Sequence, residues 1–157
     1  LENARVLDLF AGSGALGLEA VSRGAASAVF VDAARPAKEA VRHNIGVLNA
    51  SGCAVLLACD WRMALRKLSA QGALFDLVFV DPPYHMEHAD EMLEMLRTCG
   101  VLDADALVVY EHATDVPPKA DAWTITDKRA YRDTTITFLK NESEGESDAK
   151  GALSREL

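Results

Sequence analysis

Apolar residues along this chain fall in short runs, separated by longer stretches in which they recur every three or four positions. The runs at 4–9, 27–32, 53–58, 75–80 and 105–110 have the length of buried strands. Between them, 16–23, 36–49, 63–71 and 87–99 have helical spacing. In the second of these, Ala37, Ala40, Val41, Ile45 and Leu48 make one stripe, with Lys38, Glu39 and Arg42 outside it. This alternation predicts βα units assembled into a parallel sheet with helices packed on it. Gly24, Gly52, Gly72 and Gly100 each follow a helical stretch, where a left-handed cap returns the chain to the next strand.

The pattern changes after Glu111. Val116-Pro117-Pro118 breaks the chain, and the β-rich segments 123–126 and 134–139 follow with no helix between them, which predicts an antiparallel hairpin closing the sheet. From residue 141 the composition is Ser, Glu, Gly and Asp with little to bury, so a single domain is expected over 1–140 with an acidic, disordered tail over 141–157. A chain of 157 residues that is 50% apolar supports one core but not two.

No apolar run is long enough to span a membrane and no secretory leader is visible, so a cytoplasmic monomer is expected. Cys53, Cys59 and Cys99 are odd in number, widely spaced and set among apolar neighbours, as buried free thiols are. The net charge of -8 argues against an extended polyanion-binding surface. Residues 1–140 stay acidic without the tail. A grip on nucleic acid would have to come from a local patch, of which Lys128, Arg129 and Arg132 form the notable example, or from a segment outside this sequence. The first strand begins within a few residues of Leu1, which suggests a preceding segment.

Two motifs carry chemistry. Residues 6–17, VLDLFAGSGALG, run from a strand into a glycine-rich turn that opens a helix. Glycine permits the sharp turn and lets a ligand approach the backbone closely. Asp32 ends the next strand, where a carboxylate can accept both hydroxyls of a ribose, with Ala33 beside it. Phe10, Ala11, Gly12, Ser13 and Gly14 with Asp32 therefore indicate a nucleoside cofactor. Gly12, Gly14 and Gly17 also satisfy the dinucleotide pattern, so a nicotinamide-dependent oxidoreductase is an alternative. Asp8 at the end of the first strand and Asp60 after the third favour S-adenosylmethionine, because carboxylates repel a pyrophosphate but attract a ligand bearing sulfonium and ammonium groups. Asp60 is placed to accept from an adenine amine, and Trp61 either packs on that adenine or fills the core.

The second motif is residues 75–84, FDLVFVDPPY, a buried strand ending in Asp81-Pro82-Pro83-Tyr84 on the same rim as the glycine turn. An amine on an aromatic base is a poor nucleophile because its lone pair is delocalised into the ring. The Asp81 carboxylate and the Pro82 carbonyl can accept its two protons and return electron density to nitrogen, while the prolines hold those acceptors rigidly. Tyr84 offers a face for a base turned out of its stack.

Other candidates are weaker. His85 and His88 lack a third ligand at metal-site spacing, so no metal is expected. Glu111 and His112 end the fifth strand and are expected to be a solvated strand end. No cysteine nucleophile lies on the rim for carbon methylation. A module that retains the cofactor pocket without activity is a further alternative.

Together, "VLDLFAGSGALGLEAVSRGA", "FVD" followed by a helix containing Asn44, and "FDLVFVDPPY" resemble, in order from about residue 4 to 140, the bacterial small-subunit ribosomal RNA guanine-N2 methyltransferases of the RsmD type. The Asp-Pro-Pro-Tyr part is shared with adenine-N6 DNA methyltransferases, so a DNA amine is an alternative substrate. The resemblance implies a Rossmann-like class I methyltransferase fold with helices on both faces of a mostly parallel seven-stranded sheet, the last strand antiparallel. It implies S-adenosylmethionine as cofactor, held by Asp8, Gly12, Gly14, Asp32 and Asp60, and a catalytic role for Asp81 with Pro82, Pro83 and Tyr84. As substrate it implies a guanine N2 amine in rRNA or an assembling small subunit. Two features differ from the family pattern: no basic arm precedes the first strand, and Tyr131-Arg132 stands where a Tyr-Gly pair is expected.

Overall fold

A computed structural model describes residues 2–83 and 86–142. The strands are β1 (Arg5–Asp8), β2 (Ser27–Val31), β3 (Ala54–Leu57), β4 (Phe75–Val80), β5 (Leu102–Ala113), β6 (Trp123–Tyr131) and β7 (Thr134–Asn141). The helices are α1 (Ala15–Ser22), α2 (Arg35–Val47), α3 (Trp61–Ala70) and α4 (Ala89–Thr98). The sheet runs β3-β2-β1-β4-β5-β7-β6, with β1 to β5 parallel and β7 antiparallel to both its neighbours. This is the class I methyltransferase arrangement that the resemblance implies. Among the described residues no helix is long and apolar enough to cross a membrane.

The central strands are apolar on both faces because both faces are covered. Val6, Leu77 and Phe30 pack with Leu18, Ala20 and Val41 of α1 and α2. Leu7, Leu9, Val78 and Val80 pack with Leu65, Leu68, Met92, Leu93 and Leu96 of α3 and α4. That is why the sequence gives continuous runs here rather than alternation. Each fully buried Leu contributes about 1.5 to 3 kcal/mol.

At the N-terminal edge of the sheet, the Arg5 guanidinium bridges Asp76 at 2.9 Å and Asp103 at 3.0 Å, and the Arg5 amide also donates to Asp76 at 2.8 Å. These bonds hold the Asp76 carboxyl below the usual carboxylate range. They also tie β1 to β4 and β5 at the end remote from the glycine turn, leaving the other rim free to open.

Several boundaries differ from expectation for identifiable reasons. Strand β5 extends on both sides of 105–110, since its continuation to Ala113 is made by the ladder with β7 rather than by its own apolar pattern. Strand β6 runs to Tyr131 instead of ending at 126. Only its Trp123 is buried, and a solvated edge strand carrying Asp127, Lys128 and Arg129 has no hydrophobic period to reveal it. Helix α3 starts two residues early because the Asp60 carboxylate caps it, accepting from Met63 N at 2.9 Å. Helix α4 starts two residues late, after His88 in the left-handed region (φ 65°). Asn49 (φ 54°), not Gly52, makes the left-handed turn after α2, whereas Gly24, Gly72 and Gly100 do adopt positive φ. Arg132 takes φ 53° in the β6–β7 turn, a conformation that the glycine of the expected Tyr-Gly pair would adopt without strain. The expected tail lies outside the described residues from 143 onward; of its first two residues, Asn141 ends β7 and Glu142 follows it.

Gly17 shows how closely α1 approaches the sheet. A Cβ at this position would drive into the Phe30 ring and crowd the Asp8 carboxylate at 3.3 Å. Alanine's better helix propensity, about 1 kcal/mol, works against this clash. Overpacking of about 1 to 3 kcal/mol should prevail, so Gly17→Ala is expected to lower the urea midpoint, with Phe30→Leu in the same chain restoring part of the loss. A midpoint unchanged by Gly17→Ala would show that the helix can move away at no cost.

Candidate functional site

Strand order reverses between β1 and β4, so the chains leaving their carboxyl ends diverge and a crevice forms there. The glycine turn occupies one side. Leu9 N bonds to Phe79 O at 3.0 Å and Ala11 N to Val31 O at 3.0 Å, so the turn is fastened to β4 and then to β2. Gly12 (φ 57°) and Gly14 (φ 82°) make the left-handed bends. A Cβ on Gly12 would meet nothing within 4 Å and would project into open space. Asn44 of α2 donates to Ser13 O at 2.8 Å and holds the outer limb.

Asp32 fixes the same turn from below. Its two carboxylate oxygens accept from Gly12 N and Ala34 N, each at 2.9 Å. Each oxygen keeps lone-pair capacity for a ligand hydroxyl. Asp8 is 1% exposed and accepts from Gly17 N at 3.2 Å, capping α1 from a neighbouring strand, since Gly14 at the helix start has no side chain to do so. Burial pushes the Asp8 carboxyl up to about 6 against the pull of that amide, and Asp81 and Asp32 push it further.

Phe10, Ala11, Gly12, Ser13, Asp32, Asp81, Pro82 and Pro83 are brought together around a cleft of about 450 Å³. Asp8 and Gly14 lie buried beneath it. Ala33 and Asp60 are exposed and do not form its wall, and Asp60 spends one carboxylate oxygen on the α3 cap. Trp61 takes the core-filling alternative: it is 8% exposed within the α3–α4 core, with the Arg62 guanidinium 4.4 Å from its ring centre. Tyr84 and His85 lie outside the described residues.

A second cleft, of about 430 Å³, opens on the other side of Asp81-Pro82-Pro83. It is lined by Met86, Ala89, Tyr110, Glu111, His112, Ala113, Val116 and Thr134. Glu111 and His112, expected to be a solvated strand end, are therefore walls of this cleft. Register gave a usable signal: Val80 pairs with Tyr110, so Asp81 and Glu111 follow side by side. The Asp81 carboxyl is pushed up to about 6, first by partial desolvation, then by the charge of Glu111 and a hydrogen bond between the two carboxyls. His112 Nδ1 lies 2.8 Å from Ala113 O, which can only accept, so Nδ1 donates to it, and Nε2 is hydrogen-bonded to the Thr137 hydroxyl at 2.7 Å. The β6–β7 turn, which contains Arg132, ends at the lining residue Thr134 and is held by Thr114 N bonding to Asp133 O at 2.7 Å. Arg129, in contrast, is engaged by Asp127 at 3.2 Å and lies over Phe138.

The donor set of the first cleft suits a nucleoside bearing positive charge. Asp32 and Asp81 line it and their charges reach the buried Asp8, which would repel a pyrophosphate but attract a sulfonium amino acid. Its volume is in the ordinary range for ligand sites.

The family described as conserved hypothetical protein 95 matches residues 1–140. The ribosomal RNA small subunit methyltransferase D of Escherichia coli is 32% identical over 149 residues, which is 94% of this chain and 73% of that protein. The chain belongs to this methyltransferase family. Among solved structures, a conserved hypothetical protein of Streptococcus pyogenes superposes with a TM-score of 0.82 at 37% identity, covering 90% of this chain and 88% of that one. SMU.776, solved in complex with SAH, superposes with a TM-score of 0.69 at 15% identity, covering 88% of this chain and 45% of that one, and so shows the shared fold alone.

In this family member the buried acid has a cost in stability. Asp8 is raised from 3.8 to about 6, so between those values the unfolded chain ionises before the folded one. Stability then falls as pH rises through this window, and the loss is complete above the folded value. Asp8→Asn keeps an acceptor for Gly17 and removes the charge. It is expected to stabilise the protein above pH 6 by on the order of 2 to 3 kcal/mol, with no gain below about pH 4. Chemical denaturation of both proteins across pH measures this, and a gain independent of pH would refute the assignment.

Proposed function

We propose that this domain binds S-adenosylmethionine in the cleft between the glycine turn and Asp81-Pro82-Pro83, and methylates the exocyclic N2 amine of a guanine in small-subunit ribosomal RNA. The observation that carries this reading is the meeting of two clefts at one wall, Asp81-Pro82-Pro83. A donor molecule in one and a base in the other would face each other across acceptors suited to an amine. The name of the Escherichia coli relative supports the RNA class and methyl transfer. The two carboxylates that line the first cleft, Asp32 and Asp81, favour this donor over a nicotinamide dinucleotide.

Asp32 would accept the ribose hydroxyls, and the buried Asp8 would face the amino-acid portion, whose positive charge offsets its desolvation. Asp60 would reach the adenine amine with its second oxygen. When bound, S-adenosylmethionine supplies an electrophilic methyl group. The protein's part is to hold the target amine with the Asp81 carboxylate and the Pro82 carbonyl, so that its lone pair faces the donor cleft, and to take up the proton that nitrogen sheds at Asp81. Positioning dominates such catalysis. Arg132 and Lys128 on the hairpin beside the second cleft would meet phosphates, supplying locally what the net charge of -8 denies globally.

The division of labour is testable. Asp32→Ala should weaken S-adenosylmethionine binding by roughly ten- to a hundredfold, corresponding to about 1.5 to 3 kcal/mol for a charged acceptor. Asp81→Ala should leave that affinity within a fewfold and abolish turnover on small-subunit rRNA or immature subunits. Calorimetry with tritiated methyl transfer and nucleoside analysis reads both. Equal loss of cofactor affinity in the two variants would sink this assignment of roles, and a methylated nucleoside other than N2-methylguanosine would sink the base.

A further inference from the structure

The two clefts explain how an amine is held, but Asp81 and Pro82 would hold the amine of adenine equally well. What separates the candidate bases is the neighbouring ring nitrogen. Beside the exocyclic amine, guanine presents N1 with a proton, whereas adenine presents N1 with a lone pair. A protein that prefers guanine needs an acceptor directly beside Asp81.

We propose that Glu111 is that specificity-determining residue, its carboxylate reading the N1 proton of guanine while Asp81 and the Pro82 carbonyl hold the N2 amine. The inference rests on the guanine-amine reading above and adds the group that enforces it. Three observations support it. In the parallel ladder Val80 pairs with Tyr110, which sets Glu111 beside Asp81 at the ends of adjacent strands. Both residues line the second cleft, and they are its two acidic lining groups. Their carboxyls are in hydrogen-bonding contact, and their mutual repulsion contributes to the raised Asp81 value. The other nitrogenous group on that wall, His112, has both ring nitrogens engaged, by Ala113 O and Thr137 Oγ1.

Two adjacent carboxylates form an acceptor-acceptor pair, stable together only when protons lie between or in front of them. A base with two adjacent donors supplies a proton to each: N2–H to Asp81 and N1–H to Glu111. Adenine would set a lone pair against the Glu111 carboxylate, and a buried polar mismatch of that kind discriminates far more strongly than a lost apolar contact.

The experiment uses this protein and a synthetic RNA fragment containing the site that the wild type methylates, mapped beforehand by nucleoside analysis. At that site the fragment carries either guanine or 2-aminopurine. The analogue keeps the 2-amine in place but has a lone pair on N1. Wild type should prefer guanine by roughly ten- to a hundredfold in kcat/KM. Glu111→Gln can donate its amide to N1, and so should lower activity on guanine while raising it on 2-aminopurine, narrowing or inverting the preference. Glu111→Asp retains a carboxylate and should retain the preference at a reduced rate. All three proteins should bind S-adenosylmethionine alike, which controls for folding. Equal rates of wild type on the two bases would overturn the proposal without recourse to any variant, as would an unchanged preference in Glu111→Gln when the product is N2-methylguanosine. Methylation of an adenine in the mapping step would overturn both this proposal and the functional reading on which it rests.

Discussion

The functional rim depends on β1 having neighbours whose chains depart in opposite directions. β2 lies on one side, reached through α1, and β4 lies on the other. Because the connections cannot fill the space between them, a crevice opens at the carboxyl ends of β1 and β4. The Arg5 bridges to Asp76 and Asp103 close the opposite end of the same strands, so the sheet is tied where no ligand is needed. The glycine turn then folds across the crevice, fastened by Asp32 through Gly12 and Ala34.

That geometry collects negative charge. The charges of Asp81 and Asp32 act on Asp8, and Asp8 and Asp81 both stand at about 6. An isolated domain would be more stable without this cluster, because the carboxyl groups resist ionisation in the folded state. Their retention follows if the bound molecules bring the compensating positive groups and protons: a cationic cofactor for Asp8 and Asp32, an amine edge for Asp81. Ligand binding and folding stability are then linked through the same carboxylates.

How much of this could be read from the sequence varies with how each element is buried. Strands β1, β2 and β4 are covered on both faces and stand out as apolar runs, and Gly12, Asp32 and Asp81, which meet around one cleft, are legible as candidates because they stand just beyond strand ends. Strand β6 was only half legible, since a charged edge strand is held by its ladder with β7 and not by burial. Trp61 remained ambiguous because an aromatic residue at a helix start serves a core or a ligand equally well, and burial favours the core. Glu111 was passed over for a related reason. A lone Glu-His pair at a strand end usually faces water, and only the register of β4 against β5 reveals that it stands beside Asp81.

The two clefts carry different amounts of information about substrate. The glycine turn and Asp32 wall the first cleft, with Asp8 buried, and a cleft at this switch point is a general property of open α/β sheets. Shared fold therefore says little about what is methylated. The second cleft is built differently: one wall comes from the rigid Asp81-Pro82-Pro83 turn, the other from the end of β5 where it outruns β4 and pairs with antiparallel β7. Only the antiparallel closure allows β5 to continue to Ala113 with its hydrogen bonds satisfied, carrying Glu111 and His112 beyond the last β4 residue. The reversed strand thus does more than finish the sheet, since it supports the side chains that line the second cleft. Substitutions that leave the cofactor cleft intact but alter the β5–β7 end should redirect the choice of base before they impair cofactor binding.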